Sequence, residues 1–486
     1  MLKVKMVQGL VWVAGSAIII RTFNFLATLT LARILVPSDF GIIAVIDIVI
    51  NVTQVFRDLG LGRALIHRTG NMEKASNTIF FLVITWGFCL SMIIILCADY
   101  IAMFFSTPET TSIIQIMATT IFISSIGLVP ATILEKNLAF NKKVVPEIVP
   151  VLIYACLAVI LASVGFGVWS IVWARVLQSI LTTVLLWLAC DWRLTIEFDY
   201  QLALETLQYG QHVIAASALT VAFLYIDNAY IAHHLGMTSL GYYAFAFMLA
   251  NLPMQSVTPI ISKVTFPSYV QLRDDRAKLI RAYLQSIKLT ALITFPATFG
   301  LAILVDDVIL LLYADKWVNS IVLVQILCFY ALFRSVGALP GSVLYTIGKH
   351  HVIPRFMVVY ILFLLLCLWP ATLLWGTIGV AITMTSVMIV GSTVWLIAVN
   401  YYLQISTKQF ITTIFPQTIA SITMTFILLY LNRFITGSIG AIILMVLTGV
   451  IVYTFMILWL TKGQVYKDVM DILITLRGKH PKTVKT

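Results

Sequence analysis

Charge is what this chain has least of. Asp, Glu, Lys and Arg make up 10% of its 486 residues against 61% hydrophobic ones, too little polar surface to cover a water-soluble domain of this length. Acids are the scarcer sign, 20 against 31 Lys and Arg. Cysteine is sparse as well: Cys89, Cys97, Cys156, Cys190, Cys328 and Cys367 are scattered through apolar stretches without metal-ligand spacing, so neither a zinc site nor a disulfide framework is indicated. Gly-rich phosphate loops, His-Glu-x-x-His pairs and Asp-rich metal motifs are missing too. The chain is therefore not expected to be an enzyme, and no cofactor is called for.

What the chain does have is long apolar runs. Segments of about 20 apolar residues, the length that crosses a bilayer, recur fourteen times between residues 6 and 461. Lipid tolerates only helices or closed barrels, and barrel strands need only about 10 residues. The expectation is an all-α polytopic membrane protein of about fourteen transmembrane helices. Lys and Arg gather in the termini and the even-numbered connections, leaving Arg33, Lys316 and Arg433 on the other side. That bias places both termini in the cytoplasm.

The outer connections carry Asp39, Asp99, Glu109, Asp306, Asp307 and Asp315 and stay short, so no extracellular domain is expected. A net charge of +11 would suit nucleic acid, but loops such as 263–281 and the tail 462–486 account for it as positive-inside charge attracted to anionic membrane lipids. No nucleic-acid partner is expected. The first apolar run is too long for a secretory signal, contains Arg21 and lacks a cleavage site, so it reads as the first span.

An internal duplication shows in the register. Ala32 to Ala44 aligns with Ala232 to Ala244, matching Ala32/Ala232, Leu35/Leu235, Gly41/Gly241 and Ala44/Ala244, and Asn51/Asn251 continues the register. A second echo sets Gly127-Leu-Val-Pro-Ala-Thr-Ile-Leu134 against Gly337-Ala-Leu-Pro-Gly-Ser-Val-Leu344. Spans 1 to 6 and 7 to 12 thus read as two pseudo-symmetric six-helix bundles about an axis along the membrane normal, with substrate between them. The expected organisation is a bundle at 1–190, a cytoplasmic linker at 191–208, a second bundle at 209–403, spans 13 and 14 at 404–461 and a basic cytoplasmic tail at 462–486.

Three arginines interrupt apolar spans: Arg21, Arg175 and Arg334. An ionisable group at bilayer depth persists facing water, a partner charge or an anionic substrate. Helical spacing adds polar stripes: Arg21, Asn24 and Thr28 on span 1; Asp47, Asn51, Gln54 and Asp58 on span 2; His212, Thr220 and Asp227 on span 7; Asn251, Gln255, Thr258 and Ser262 on span 8. The substrate-binding set expected from these is Arg21, Asn24, Asn51, Gln54, Arg175, Asn251, Gln255 and Arg334. Asp47, Asp227 and His212 are the candidates for ion coupling or charge pairing, with proton and sodium both open. The alternative is that the neutral groups hold helices together and that Asp47 or Asp227 simply neutralises an arginine. Gly127, Pro130, Gly337, Pro340 and Gly341 are expected to bend spans 4 and 10.

Four stretches also carry a family likeness: Leu31-Ala-Arg-Ile-Leu-Val-Pro-Ser-Asp-Phe-Gly41, Lys136-Asn-Leu-Ala-Phe-Asn-Lys142, Ala314-Asp-Lys-Trp317 and Phe333-Arg-Ser-Val-Gly337. In order and spacing they resemble the Wzx-type polysaccharide flippases, nearest the colanic-acid-exporter branch of the multidrug/oligosaccharidyl-lipid/polysaccharide exporter superfamily. The resemblance runs through most of residues 1–400 and fades in spans 13 and 14. It implies a two-lobed transporter of the bacterial plasma membrane. Such a transporter moves an undecaprenyl-diphosphate-linked repeat unit to the outer leaflet by alternating access, for lipopolysaccharide, capsule or exopolysaccharide export.

The resemblance also implies contact with a polysaccharide polymerase and other assembly proteins, and a lipid-tail groove helped by spans 13 and 14. Arg21 and Arg334 are then expected on the phosphates, with Arg175, nearer the outer end of its span, acting during release. The competing readings are a cation-coupled drug or metabolite exporter of the same fold, a membrane glycan polymerase or ligase, and a non-transporting scaffold.

Overall fold

The structure, a computed structural model, describes residues 2–58, 60–67, 72–349, 351–435 and 437–463, and among these the side chains of all but 2–14, 63, 64, 67, 206–216 and 264. Among the described residues the regular elements are all helical. In chain order they are α1 (Leu2–Ile34), α2 (Pro37–Asp58), α3 (Leu61–His67), α4 (Met72–Phe104), α5 (Thr111–Lys136), α6 (Phe140–Ser163), α7 (Trp169–Ala189) and α8 (Tyr200–Gln271). They continue as α9 (Arg276–Val308), α10 (Ile321–Gly337), α11 (Leu339–Thr346), α12 (Val352–Leu403), α13 (Thr407–Leu431) and α14 (Ile439–Leu460).

Among the described residues twelve helices are long and apolar enough to cross a membrane. Two of them are too long for one crossing: α8 with 72 residues and α12 with 52 would run roughly 108 and 78 Å at 1.5 Å per residue. Each is broken by a glycine in a non-helical conformation, Gly236 (φ 82°, ψ 173°) and Gly376 (φ 55°, ψ −132°). A side chain is strained at positive φ, so glycine is the residue that lets the chain reverse there. The halves 200–235 and 237–271, and 352–375 and 377–403, supply two passes each, which brings the total to fourteen.

Local chemistry sets the helix ends. Pro37 opens α2, where its missing N–H costs nothing, and the Val36 N–H donates to the Asp39 carboxylate at 3.3 Å. Side chains of Asp275, Ser406 and Ser438 accept the N–H groups of Lys278, Gln409 and Ala441, capping α9, α13 and α14.

The chain divides into two compact units, residues 1–244 and 245–486. In the first, Leu31, Ile43, Ile46, Met117, Ile171 and Val172 form one core where α1, α2, α5 and α7 meet. Small residues bring α4 against α5: Gly87 abuts Ser125, and the Ser91 hydroxyl donates to the Ala118 carbonyl at 2.8 Å.

After α7 the chain runs without regular secondary structure to Asp199 and is strapped to the start of α4. Asn77 bonds Thr195, the Asp199 N–H donates to Thr78 Oγ1 at 3.0 Å, and Lys74 pairs with Asp199 at 3.1 Å. Trp192 closes the strap, packing on Phe80 and Trp187. Asp199 then caps α8 by accepting the Leu202 N–H at 3.1 Å, and these contacts hold its carboxyl below the ordinary range, the backbone N–H first and the Lys74 ammonium next.

The duplicated register appears as a reciprocal contact inside this unit. A Cβ on Gly41 would overlap the Met237 carbonyl, and one on Gly241 would overlap the Pro37 carbonyl. Residues 41 and 241, and 37 and 237, are the matched pairs of the sequence offset. Farther on, Gly127 packs against Thr183 and Gly337 against Ser392, each in its own unit.

In the second unit Tyr269, Tyr283, Phe295, Leu344 and Leu403 anchor a core shared by α8, α9, α11 and α12. The Ala314-Asp-Lys-Trp317 turn is explained here. Ala314 takes a positive φ of 72° and Trp317, fully buried, stacks on Phe245 with ring centroids 4.0 Å apart. α13 and α14 pack on α9 through Met424, Met445 and Tyr453, whose hydroxyl donates to the Leu292 carbonyl at 2.9 Å.

Candidate functional site

The polar face of α2 opens on a cavity of about 950 Å³ in the first unit. Asp47, Asn51, Gln54 and Asp58 line it at helical spacing, joined by Arg57. Across from them stand Thr120, Ser124 and Glu135 of α5, Arg175, Gln178 and Ser179 of α7, and Ser217 and Tyr225 of α8. From Asp47 to Arg57 the slot follows α2 for about 15 Å at the helical rise.

Each end of this slot holds an ion pair. Arg175 donates through both terminal nitrogens to the Asp47 carboxylate, Nη2 to Oδ2 at 3.3 Å. Arg57 gives Nε and Nη2 to Asp58 Oδ1 at 2.9 and 2.6 Å and its other terminal nitrogen to the Ser124 hydroxyl. In both pairs the acid is the more open partner, Asp58 at 51% against 11% for Arg57 and Asp47 at 38% against 25% for Arg175. Glu135 is met by Lys143 at 2.5 Å. The slot therefore presents neutralised pairs, with amides and hydroxyls between them.

The Asn51 amide nitrogen donates to the Asp47 carbonyl at 2.6 Å, while Gln54 is exposed. The structure thus gathers Asp47, Asn51, Gln54 and Arg175 in one cavity. Arg21 and Asn24 lie exposed on α1, outside that lining, and Arg21 makes no ion pair among the described residues. Asp227 is fully buried on α8, accepting the Tyr243 hydroxyl at 2.6 Å and the Asn228 N–H at 2.8 Å. The side chain of His212 lies outside the described residues.

In the second unit Asn251 is fully buried and donates to the Phe247 carbonyl at 2.8 Å, and Gln255 is exposed. Arg334 is half-buried with its guanidinium 5.7 Å from the Tyr330 ring centre, within cation–π range. A second cavity, of about 1210 Å³, lies in this unit and is lined mainly by Phe295, Phe299, Phe329, Phe333, Leu396 and Phe410. α13 contributes to it through Phe410 and Ile414; its wall is chiefly aromatic and aliphatic.

Sequence reasoning missed Arg57 and Gln178. Arg57 stands three residues beyond Gln54 on the same stripe, at the end of the span, where a basic residue reads as positive-inside charge. Gln178 repeats that signal, three residues beyond Arg175.

Residues 30–322 match the model of the family described as polysaccharide biosynthesis protein. A membrane protein encoded in the cps region of Klebsiella pneumoniae is 25% identical over 387 residues, 78% of this chain and 79% of that protein. The lipopolysaccharide biosynthesis protein WzxC of Escherichia coli K12 is 24% identical over 345 residues, 71% of this chain and 70% of its own. Among solved structures, the lipid II flippase MurJ in an inward closed conformation superposes with a TM-score of 0.74 at 15% identity, covering 93% of this chain and all of that one. That likeness carries the fold.

Proposed function

This chain belongs to the polysaccharide biosynthesis protein family, and on that premise we propose that it is a flippase for a lipid-linked oligosaccharide in the bacterial plasma membrane, with both termini cytoplasmic. The observation that carries the reading is the slot along α2: amides, hydroxyls and neutralised ion pairs enclosed within a bundle that is otherwise apolar. Sugars need that mixture of donors and acceptors. An undecaprenyl-diphosphate carrier has two further demands, counter-charge for the phosphates and an apolar path for the chain. Arg21 and Arg334, neither ion-paired among the described residues, meet the first. The aromatic cavity of the second unit meets the second, and its use of Phe410 and Ile414 gives α13 a role. The reading assigns transport and no covalent step.

Complementation of a flippase-deficient bacterium tests it, with surface polysaccharide and inner-leaflet lipid-linked unit both measured. Wild type is expected to restore export. Arg21→Ala and Arg334→Ala, at equal membrane expression, are expected to cut it at least tenfold and trap the lipid-linked unit inside. Normal export by both variants would remove the arginines from the phosphate site; no export by wild type would overturn the flippase assignment.

One observation favours a second reading, a cation-coupled exporter of the same fold: Asp47 and Asp58 are more open than their arginines. It predicts efflux of cationic dyes that Asp47→Asn abolishes.

A further inference from the structure

We infer that the slot of the first unit takes an uncharged stretch of glycan and disfavours sugars bearing a carboxylate. The inference rests on the flippase reading and names the class of sugar within it. Arginines lining a slot would ordinarily suggest an acidic substrate, but here both are already ion-paired. Arg175 spends two donors on Asp47, and Arg57 spends three on Asp58 and Ser124. An incoming uronate meets guanidinium groups whose charge an aspartate already balances, and it adds a further acid with no gain in charge compensation.

Exposure adds a second argument. In each ion pair the carboxylate is the more open member, and Asp58 has one oxygen unengaged among the described residues. A sugar hydroxyl donating to an ionised carboxylate makes a strong, charge-assisted hydrogen bond. A sugar carboxylate in the same place meets like charge at close range, where repulsion opposes binding. The third acid, Glu135, is met by Lys143, which also pairs with Glu147 at 3.0 Å. Gln54, Gln178 and Ser179 line the length between the pairs with neutral donors and acceptors, which recognise hydroxyls and acetamido groups alike.

The test uses two flippase-deficient hosts, one assembling a neutral hexose repeat and the other the same repeat carrying a uronic acid. Wild type is expected to export the neutral repeat at least tenfold better. Asp47→Asn with Asp58→Asn is expected to shrink that preference to within about threefold. Equal export of both repeats by wild type, or an unchanged preference in a well-folded double variant, would overturn the inference. Failure of wild type to export either repeat would instead sink the flippase reading on which it stands.

A measurement on unmodified protein guards against a variant that does not fold. Tryptophan fluorescence of the detergent-purified chain is titrated with a neutral tetrasaccharide and with its uronate counterpart. Tighter binding of the neutral sugar supports the inference; equal or tighter binding of the uronate overturns it.

Discussion

Asp47 and Arg175 lie 128 positions apart in sequence, and their pairing is the kind of contact a single chain of letters does not reveal. Both were visible as intramembrane charges, and neutralisation was one of the two readings left open; which acid met which arginine depended on the packing of α2 against α7. Arg57 was hidden differently, because a basic residue at a cytoplasmic helix end satisfies the positive-inside rule without any site. Removing one member of the Asp47–Arg175 pair leaves the other uncompensated in a partly buried setting. Asp47→Asn and Arg175→Gln are each expected to lower stability in detergent, with a coupling on the order of 1–3 kcal/mol in a double-mutant cycle. Additive effects, read from thermal unfolding of the four proteins, would show that the pair does not act as a unit.

The helices themselves were largely legible, since hydropathy and length dictate them in lipid. Even the breaks in α8 and α12 have a trace in the sequence, because Gly236 and Gly376 sit in short interruptions of the apolar pattern. What hydropathy does not register is the short pieces: α3, with 7 residues, and α11, with 8, carry too few residues to cross anything. Gly376→Ala is expected to cost about 1–3 kcal/mol because its backbone lies where L-residues are strained, and Ser406→Ala about 1 kcal/mol through the lost cap of α13; thermal shifts of the purified variants check both. Acid acts at the strap. With the Asp199 carboxyl held below its ordinary range, the stabilisation is fully present above the unfolded value near pH 4 and fades as pH falls through the lower folded value. An acid titration of stability is expected to lose that component in Asp199→Asn.

The sequence expects bundles at 1–190 and 209–403, whereas the compact units of the structure divide between residues 244 and 245; the fold itself is shared with MurJ. Membrane orientation rests on charge distribution, and it has a direct test. In a cysteine-free background, Asp307→Cys is expected to react with a membrane-impermeant maleimide in intact cells, and Lys278→Cys only after the membrane is opened. The reverse pattern would invert the topology. The slot along α2 was half legible, through the stripe on that helix, because one helix supplies it at regular spacing. Its opposite wall draws on α5, α7 and α8, and nothing along the chain announces which residues of those helices share a cavity.

The reciprocal seat of Gly41 on Met237 and Gly241 on Pro37 bears on ancestry. A contact in which each copy of a segment offers the same surface to the other is what two identical chains make across a two-fold axis. Before duplication and fusion, a single ancestral glycine would have served both sides of a homodimer, and one substitution would have damaged the junction twice. In the present chain each of the two glycines confronts a backbone carbonyl that leaves no room for a methyl group. Single-gene descendants of such a dimer are thus expected to keep glycine at both places long after the rest of the repeat has become unrecognisable.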